Sequence, residues 1–373
     1  MCGGLLRFLF LEPFFGGSHK EFSEGLVSNS RYQIDLLTMT ERNWRWRMRG
    51  ASLHFANKIS SIESYDGIIV SDMMNLADFK ALVGAKCPPV LAYFHENQIT
   101  YPPVPGEKNE FYFGIINLTT ALVADRILFN SKMHLEAFSK GILSFINKVP
   151  DYNPKWVKEK IHSKSNCLYP GCRFSSEQET FHQKENKIPL IIWNHRWGFD
   201  KNAKVFFEAI DKIFENNLDV NLALMGDNFT MIPDEFSEAK KKYGDRIVQF
   251  GFVEKREDYI NWLKKGSIVI STANHENFGI AMVEAMRFGC IPLLPKRLSY
   301  PEILPEKFHK SFLYKNKYEL VEKLSFIIKN ISKFDDMRKK ISASMARFSW
   351  ENLIEKYDIE LEKLANTTIA IKK

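Results

Sequence analysis

The stretch SIVISTANHENFGIAMVEAMRFGCIPLLP, residues 267–295, is the clearest indication of the fold class of this chain. It begins with the apolar run SIVIST, continues through a short polar loop and an apolar segment of helical length, and ends with a second apolar run, CIPLLP. Short runs that are apolar throughout are typical of strands buried on both faces of a parallel sheet. A strand, a helix and a further strand in this order form a right-handed βαβ unit. The stretch therefore predicts an α/β protein.

The same alternation of short apolar runs with amphipathic segments extends over most of the chain. The runs predicted as strands form two series of about five: 5–11, 32–38, 67–71, 89–94 and 126–130, then 190–193, 221–226, 247–252, 267–272 and 290–295. The segments predicted as helices are 76–84, 111–123, 132–147, 202–216, 234–243, 256–265 and 279–288. Because strands that alternate with helices build parallel sheets, two series predict two Rossmann-like domains.

A polar stretch with neither period, residues 173–188, separates the two series. We therefore predict domains at 1–172 and 186–347, in agreement with the two domains expected for 373 residues. Three further segments are predicted as helices with no strand between them: 318–330, 333–347 and 350–365. The last of these carries an apolar stripe at helical spacing, which is able to pack against either domain.

The composition is that of a globular protein, with 45% hydrophobic and 26% charged residues, and it excludes long disorder or a fibrous repeat. The net charge of +7 permits a polyanionic partner without requiring one. Five scattered cysteines lack metal-site spacing, so we expect free thiols in a reducing compartment and no metal. The apolar run 5–15 is broken by Arg7 and Glu12, and no run reaches about 18 apolar residues. We therefore expect a cytoplasmic protein without stable membrane insertion.

Polar residues follow the predicted strands of the first series. Gly16 and Gly17 come after the first strand, where paired glycines at the start of a helix let backbone N–H groups approach an anion. A bare glycine pair more often marks a simple tight turn, but the adjacent His19 and Lys20 are able to meet phosphate or sugar hydroxyls. His95 begins a polar run after the fourth strand, at the edge where parallel sheets bind ligands.

The loops of the second series carry a sharper pattern. Arg196 ends a strand and Lys201 follows just before a helix, so the two cations form a candidate clamp for a diphosphate. Glu276 precedes a helix predicted to start near residue 278, and the backbone N–H groups of Asn277–Gly279 offer a helix-terminal anion site. Glu284 lies two turns further along among apolar residues, a costly position for a carboxylate without a partner.

Arginine and tryptophan alternate in RNWRWRMR, residues 42–49. Guanidinium groups suit phosphates and aromatic faces suit unstacked bases, which indicates RNA contact by Trp44, Arg45, Trp46, Arg47 and Arg49. Strict alternation is equally typical of an amphipathic strand with tryptophan inward and arginine outward. The residues alone leave both interpretations open. A second basic stretch, residues 148–164, is more typical of a solvated face.

The pattern E-x7-E, formed by Glu276 and Glu284 within ENFGIAMVEAMRFGCIPLL, resembles the donor-binding signature of retaining family 4 glycosyltransferases. More narrowly, six segments of the chain resemble the tRNA-queuosine α-mannosyltransferases. They are LEPFFGGSHKEF, WRWRMRGASLHFA, YFHENQITYP, NHRWGFDKN, PDEFSEAKK and TANHENFGIAMVEAMRFGCIPLLPKRLSYPEI. The resemblance covers nearly the whole chain. It implies the GT-B fold, with two Rossmann-like domains facing each other across a cleft and a C-terminal helix, here 350–373, that crosses back to the first domain.

The resemblance also implies an activity, the retaining and metal-independent transfer of mannose from GDP-mannose to queuosine in a tRNA anticodon. The donor-binding and catalytic set that it implies is His95, Arg196, Lys201, Glu276, Glu284 and the backbone of Gly16, Gly17, Asn277, Phe278 and Gly279. In this assignment Arg196 and Lys201 neutralise the leaving diphosphate. His95 and Glu276 hold the sugar, and Glu284 holds the ribose diol.

An anticodon acceptor favours the RNA interpretation of residues 42–49, with His19 and Lys20 on the acceptor side. Two other functions stay open. A glycosyltransferase of the same fold is able to act on a lipid or polysaccharide acceptor, with residues 148–164 as the candidate basic face. A non-catalytic nucleotide-sugar or RNA-binding module is the other alternative, although such a module has less need of the full set of charged donor-site residues.

Overall fold

The computed structural model describes residues 6–103, 106, 111–174, 187–226 and 232–371. The chain divides into two compact units, one formed by Met1–Arg173 with Phe348–Lys373 and the other by Phe174–Arg347. Each unit is built on its own parallel sheet with helices in the connections. The predicted α/β class with two Rossmann-like domains is therefore confirmed.

The first unit contains a six-stranded sheet in the order β2-β1-β3-β4-β5-β6. Its strands are β1 (Arg7–Phe15), β2 (Gln33–Thr40), β3 (Gly67–Ser71), β4 (Val90–Phe94), β5 (Arg126–Phe129) and β6 (Ser165–Cys167). Its helices before the last are α1 (Gly17–Asn29), α2 (Trp44–Lys58), α3 (Leu76–Val83), α4 (Phe111–Val123), α5 (Lys132–Ile146) and α6 (Val157–His162). All neighbouring strands are parallel. The order reverses at β1 and β3, the position at which parallel sheets bind ligands.

The second unit contains a six-stranded sheet in the order β12-β11-β10-β7-β8-β9. Its strands are β7 (Leu190–Trp193), β8 (Asn221–Leu224), β9 (Ile247–Phe250), β10 (Ile268–Ile270), β11 (Ile291–Pro295) and β12 (Leu313–Tyr314). Its helices are α7 (Ala203–Glu215), α8 (Asp234–Tyr243), α9 (Arg256–Lys265), α10 (Ile280–Arg287), α11 (Tyr300–Ile303), α12 (His309–Phe312), α13 (Lys317–Lys329) and α14 (Asp335–Met345). Neighbouring strands are again parallel, and the order reverses at β7 and β10.

The core of the first unit is divided by its sheet because successive residues of a strand point to opposite faces. Phe8 and Phe10 of β1 pack in one apolar cluster. Leu9 and Leu11 pack in another, together with Phe55 of α2. This double burial explains why β1 is apolar at every one of these positions rather than at alternate ones.

The last helix, α15 (Trp350–Ile371), belongs to the first unit and covers one face of its sheet. Its predicted apolar stripe is buried there, and the Tyr357 hydroxyl donates to the Tyr169 carbonyl at 2.8 Å. The indole of Trp350 lies against Gly25 and Gly171, where a Cβ atom on either glycine would overlap its ring. Within the described ranges, no helix combines the length and apolarity needed to cross a membrane.

Two predictions about secondary structure are wrong. Each sheet has six strands rather than about five, because β6 and β12 add one edge strand each. The first has the polar sequence Ser-Asn-Cys and the second has only two residues, so neither leaves an apolar run to detect. Edge strands pair on one side only, which reduces the demand for apolar side chains.

The interpretation of residues 42–49 as a strand is also wrong, because residues 44–49 form the first part of helix α2. The residues of α2 that are buried include Met48, Ala51, Ser52 and Phe55, which follow the i, i+3, i+4, i+7 spacing of a helix. Packing of this stripe on the sheet overrides the period-two alternation of the preceding arginines and tryptophans.

Replacing Trp350 by alanine is expected to lower the free energy of unfolding by about 3–5 kcal/mol, because it removes a fully buried ring and leaves a cavity. Chemical denaturation measures the loss. Tyr318→Ala is the control, since the Tyr318 side chain is 82% exposed and its loss is expected to change stability by less than about 0.5 kcal/mol. Equal losses in the two variants would contradict the packing described for α15.

Candidate active site

Buried ionisable side chains gather at the carboxyl ends of three strands of the first unit. Glu12 lies in the last part of β1, Asp72 directly follows β3, and His95 directly follows β4. His19 lies in the first turn of α1. All four side chains are buried, so the sheet brings two predicted site residues, His19 and His95, together with two carboxylates.

Glu12 and His19 form a buried ion pair, with Glu12 Oε2 and His19 Nδ1 3.2 Å apart. The other carboxylate oxygen of Glu12 accepts from the Phe14 N–H at 2.8 Å and from the Ser71 hydroxyl at 3.1 Å. The His19 and His95 rings pack with their centroids 4.0 Å apart. The ion pair therefore sets the position of the ring on which His95 rests.

Burial changes the protonation of this cluster. Burial alone lowers the pKa of His19, but the charge and hydrogen bond of Glu12, together with the charges of Asp72 and Glu96, raise that pKa to about 9. Burial raises the pKa of Asp72 to about 8, while Asp72 Oδ1 accepts the His95 N–H at 2.7 Å. Burial, helped by the charge of His19, lowers the pKa of His95 well below its ordinary value. A protonated His19 thus lies beside a neutral His95.

The same residues offer a set of metal-ligating atoms. Among the described residues, one ligand atom from each of Glu12, His19 and His95 lies within 4.8 Å of the others. A metal ion requires the histidine nitrogen to be deprotonated, whereas the pair with Glu12 keeps His19 protonated through neutral pH. A metal ion bound by these residues would therefore have to displace the proton held by His19.

The glycine pair forms the tight turn that begins α1. Gly17 has φ +49°, a left-handed conformation that favours glycine. The Glu41 carboxylate lies against Gly16, in the space that a Cβ atom would occupy. The exposed Lys20 lies over the Phe15 ring with its nitrogen 5.7 Å from the ring centroid. The Glu41 carboxylate thus lies at the N-terminal end of α1, where we predicted that an external anion would bind.

In the second unit, Asp200 holds the two predicted clamp residues together. Its Oδ1 lies 3.1 Å from Arg196 Nη2 and its Oδ2 lies 3.2 Å from Lys201 Nζ. Lys201 Nζ also lies 3.2 Å from Glu276 Oε2 and donates to the His275 carbonyl at 2.9 Å. The loops after β7 and β10 are thereby tied into one cluster of two cations and two carboxylates.

Glu276 is ionised in this cluster, because Lys201 lowers its pKa although burial alone raises it. Its Oε1 accepts from the N–H groups of Asn277 at 3.1 Å and Phe278 at 3.4 Å. Helix α10 begins at Ile280, slightly later than predicted, after Gly279 at φ +90°. The Glu276 carboxylate therefore already engages the N–H groups predicted to bind an external anion.

Glu284, predicted to need a partner, has two. Arg256 of α9 forms an ion pair with its Oε1, and the Tyr259 hydroxyl donates to its Oε2 at 3.1 Å. The Asn194 side chain, which follows β7, donates to the Tyr259 oxygen at 2.9 Å. Glu284 itself is 7% exposed, so these contacts hold the carboxylate of a nearly buried side chain in one orientation.

The residues of stretch 42–49 lie on different sides of α2. Trp44 packs on Phe113 with the ring centroids 5.1 Å apart. Arg47 donates to the Thr40 carbonyl at 3.2 Å and to the Thr40 hydroxyl at 3.1 Å. Among residues 44–49, which belong to the helix, the residues exposed to solvent are Arg45, Trp46 and Arg49. Helix geometry thus divides the predicted acceptor-binding residues into inward and outward groups.

The second basic stretch, residues 148–164, forms no long amphipathic helix. Its α6 has six residues. Lys164 turns inward and donates to the Leu122 carbonyl at 2.6 Å and to the Ala124 carbonyl, and burial lowers its pKa to about 8. The structure therefore does not present the five lysines of this stretch on a single basic face.

The structure adds five residues that sequence reasoning did not assign to the site: Glu12, Asp72, Asp200, Arg256 and Tyr259. A signal existed for Asp200, which stands inside the quoted motif NHRWGFDKN, and for Asp72, which directly follows a predicted strand. Arg256 and Tyr259 lie on an amphipathic helix remote in sequence from Glu284, and only the packing of α9 against α10 brings them there.

The buried cluster of the first unit predicts a pH dependence of stability. His19 and Asp72 have folded-state pKa values of about 9 and about 8, above their ordinary values. Through these two groups the native state binds about 1.5 more protons than the unfolded state between pH 7 and 8, so their contribution to stability falls as pH rises. Glu12→Gln removes a charge that raises the pKa of His19 and is expected to make the fall of stability with pH shallower, as measured by urea denaturation across that range.

Glu360→Gln is the matched control, because the buried Glu360 is paired with Arg126 and an arginine keeps its proton throughout this range. Its slope is expected to equal that of the unaltered protein. An unchanged slope in Glu12→Gln would show that His19 is not held protonated by Glu12.

Comparison with known proteins assigns the chain to a family. Residues 7–172 match the family described as tRNA-queuosine alpha-mannosyltransferase N-terminal, and residues 175–344 match glycosyl transferases group 1. The chain is 33% identical over 362 residues to the tRNA-queuosine alpha-mannosyltransferase of Drosophila melanogaster, a match that covers 94% of each chain. It is 23% identical over 172 residues to a GDP-mannose:cellobiosyl-diphosphopolyprenol alpha-mannosyltransferase of Xanthomonas oryzae, covering 45% of each chain.

Solved structures share the fold. HepE of Anabaena in complex with UDP and glucose superimposes with a TM-score of 0.69 at 15% identity, over 96% of this chain and 100% of that one. Sucrose-phosphate synthase of Thermosynechococcus elongatus gives a TM-score of 0.74 at 12% identity, over 98% and 100%. Since the Drosophila relative is matched along nearly its whole length, the chain belongs to the tRNA-queuosine α-mannosyltransferase family of glycosyltransferases.

Proposed function

We propose that this protein transfers mannose from GDP-mannose to queuosine in the anticodon loop of tRNA, with retention of configuration and without a metal ion. The observation that carries the proposal is the cluster of Arg196, Asp200, Lys201 and Glu276 at the carboxyl edge of the second sheet. It occurs in a chain whose nearly full-length relative is named a tRNA-queuosine alpha-mannosyltransferase.

The cluster suits a leaving diphosphate. Its two cations and two carboxylates together carry no net charge. The Arg196 side chain is 51% exposed and is therefore accessible to an anion. In the proposed step, the bond from mannose C1 to the β-phosphate oxygen breaks and its electron pair leaves with GDP. A queuosine hydroxyl bonds to C1 on the same face and gives its proton to the departing phosphate. Arg196 and Lys201 stabilise the negative charge that builds on the leaving group.

Glu284 suits the ribose of the donor. Each carboxylate oxygen has two acceptor positions, and Arg256 and Tyr259 each donate to one oxygen. Acceptor capacity therefore remains on both oxygens for the two hydroxyls of a ribose diol. We assign Arg256 and Tyr259 the task of holding Glu284 in the orientation that this contact requires.

His95 suits a contact with the transferred sugar. Because His95 is neutral, its imidazole is able to form hydrogen bonds with sugar hydroxyls without carrying a charge toward the developing oxocarbenium ion. We assign Glu276 the other sugar hydroxyls. We assign the backbone N–H groups at Gly16, Gly17 and Asn277–Gly279 to the phosphates. In this assignment the carboxylates of Glu41 and Glu276, which lie at these places, either move away when the phosphates bind or share the N–H groups with them.

On the acceptor side we assign contacts with tRNA to Lys20 and to the residues of α2, with Arg45, Trp46 and Arg49 outward. His19 is assigned a supporting position beneath His95 rather than direct contact with RNA, since it is buried and paired with Glu12. A tRNA acceptor is a cytoplasmic substrate, so we propose a cytoplasmic enzyme.

Radiolabelled transfer tests the function directly. The protein is incubated with a panel of labelled nucleotide sugars and with total tRNA that contains or lacks queuosine, or with a total lipid extract. Label is expected to pass from GDP-mannose to queuosine-containing tRNA alone. Label in lipid alone would identify a lipid glycosyltransferase. Nucleotide binding without label in any acceptor would identify a binding module.

Arg196→Ala is expected to lower kcat/KM for transfer by about 100-fold or more, because it removes a preorganised charge from the leaving group. Arg196 is preferred to Lys201 because Lys201 is the more buried of the two cations paired with the buried Asp200. Arg246→Ala is the matched control: Arg246 is also half-exposed and pairs with an aspartate, Asp219, at 2.6 Å. Full activity in Arg196→Ala, with activity of the control unchanged, would refute the clamp.

A further inference from the structure

The segment from Arg42 to Lys58 is strongly basic. It contains four arginines and one lysine and no aspartate or glutamate, although the chain as a whole has 45 acidic against 52 basic residues. Most of the segment is helix α2. A local excess of positive charge attracts polyanions.

One face of α2 combines this charge with exposed apolar side chains. Arg45, Trp46, Arg49 and Leu53 are exposed and, at 3.6 residues per turn, lie within an arc of about 100°. Trp46 is 59% and Leu53 60% exposed. The face is therefore neither a simple solvated surface nor a purely apolar patch.

The indole of Trp46 lies flat on the helix backbone at Gly50, four residues further along. A Cβ atom on Gly50 would come within 2.8 Å of the ring, so the absence of a side chain there gives the indole its place. The indole therefore contacts α2 at Gly50 while the Trp46 side chain stays 59% exposed. An aromatic face held in this way needs little ordering before it stacks on a flat ligand.

A chain of alternating arginines and aromatic rings lies beside this platform. Arg45 lies 5.0 Å from the Trp44 ring, and Trp44 packs on Phe113. Arg49 lies 5.0 Å from the Phe113 ring and 4.9 Å from the ring of Tyr112, which is 48% exposed. An arginine guanidinium group is able both to stack on an aromatic ring and to bind a phosphate through two N–H groups.

The same cluster reaches the buried histidines. Phe14 packs against the cluster of Met48 and Phe113, and its ring centroid is 5.9 Å from that of His19. Contacts within the first unit thus run continuously from the exposed face of α2 to His19 and His95. A ligand bound on this face lies next to the residues proposed to contact the reacting sugar.

We propose that the face formed by Arg45, Trp46, Arg49 and Tyr112 binds a single-stranded RNA loop, with one unpaired base stacked on the Trp46 indole and phosphates on the two arginines. The inference rests on the proposed function, since it names the surface that takes the tRNA acceptor. A base in a duplex is covered by its neighbours on both faces, so a stacking platform selects bases that are unstacked. The apolar stripe of α2, which includes Met48, Ala51 and Phe55, is buried within the unit and is therefore unavailable for insertion into a lipid surface.

The test measures binding of a synthetic anticodon stem–loop RNA, and of the same stem as a fully paired duplex, by fluorescence anisotropy. Trp46→Ala is expected to weaken binding of the stem–loop about 10-fold, the loss of one base–aromatic stack, and to leave duplex binding unchanged. Trp46→Phe is expected to retain most of the affinity. Replacing Arg45 and Arg49 with glutamine is expected to reduce the salt slope of stem–loop binding by about 1.4, for two phosphate contacts on a single strand.

Trp156→Ala is the matched control, because Trp156 is 58% exposed in the same unit and has Lys160 5.9 Å from its ring. Its affinity for the stem–loop is expected to equal that of the unaltered protein. Wild-type affinity in Trp46→Ala would overturn the inference. So would binding to phosphatidylcholine–phosphatidylglycerol vesicles that depends on Trp46 while RNA binding does not. Failure of the unaltered protein to label tRNA would instead refute the proposed function.

Discussion

A buried carboxylate requires a positive partner or a proton, and this requirement organises the candidate site in both units. Glu12 is paired with His19, Asp200 with Arg196 and Lys201, and Glu284 with Arg256. Asp72, with no such direct partner among the described ion pairs, has its pKa raised by burial. Removing one member of such a pair leaves an uncompensated charge, which is far more costly than losing a surface ion pair. The charged residues are therefore held in place before any substrate arrives.

Parallel topology explains why these pairs form where they do. All strands of a parallel sheet end at the same edge, so residues that follow different strands meet there although they are distant in sequence. Glu12, Asp72 and His95 meet at one such edge. Arg196 and Glu276 approach through Asp200 and Lys201 at the other. In both units the site lies at the reversal of strand order.

The ion pairs also give the proposed chemistry its electrostatic character. His95 is neutral because it is buried beside a protonated His19, and Glu276 is ionised because Lys201 lies against it. In the proposed reaction, positive charge develops at the sugar and negative charge at the leaving diphosphate. The proposed roles match that separation, since a neutral histidine and an anionic glutamate are assigned to the sugar and an arginine and a lysine to the diphosphate.

The sequence alone determined the α/β class, the two series of strands and the two-domain organisation, because buried parallel strands must be apolar throughout and leave a pattern that local reading detects. It also pointed to Arg196, Lys201 and Glu276, because charged residues in the loops after apolar strands stand out, and to Glu284, because a carboxylate among apolar residues of a helix needs a partner. Only the tertiary structure decided the edge strands β6 and β12 and the helical state of residues 44–49, where packing of Met48 and Phe55 on the sheet overrides alternation. Only the tertiary structure also assigned the partners Glu12, Asp200, Arg256 and Tyr259. A partner is chosen by distance in space, and distance in space follows from packing rather than from local sequence.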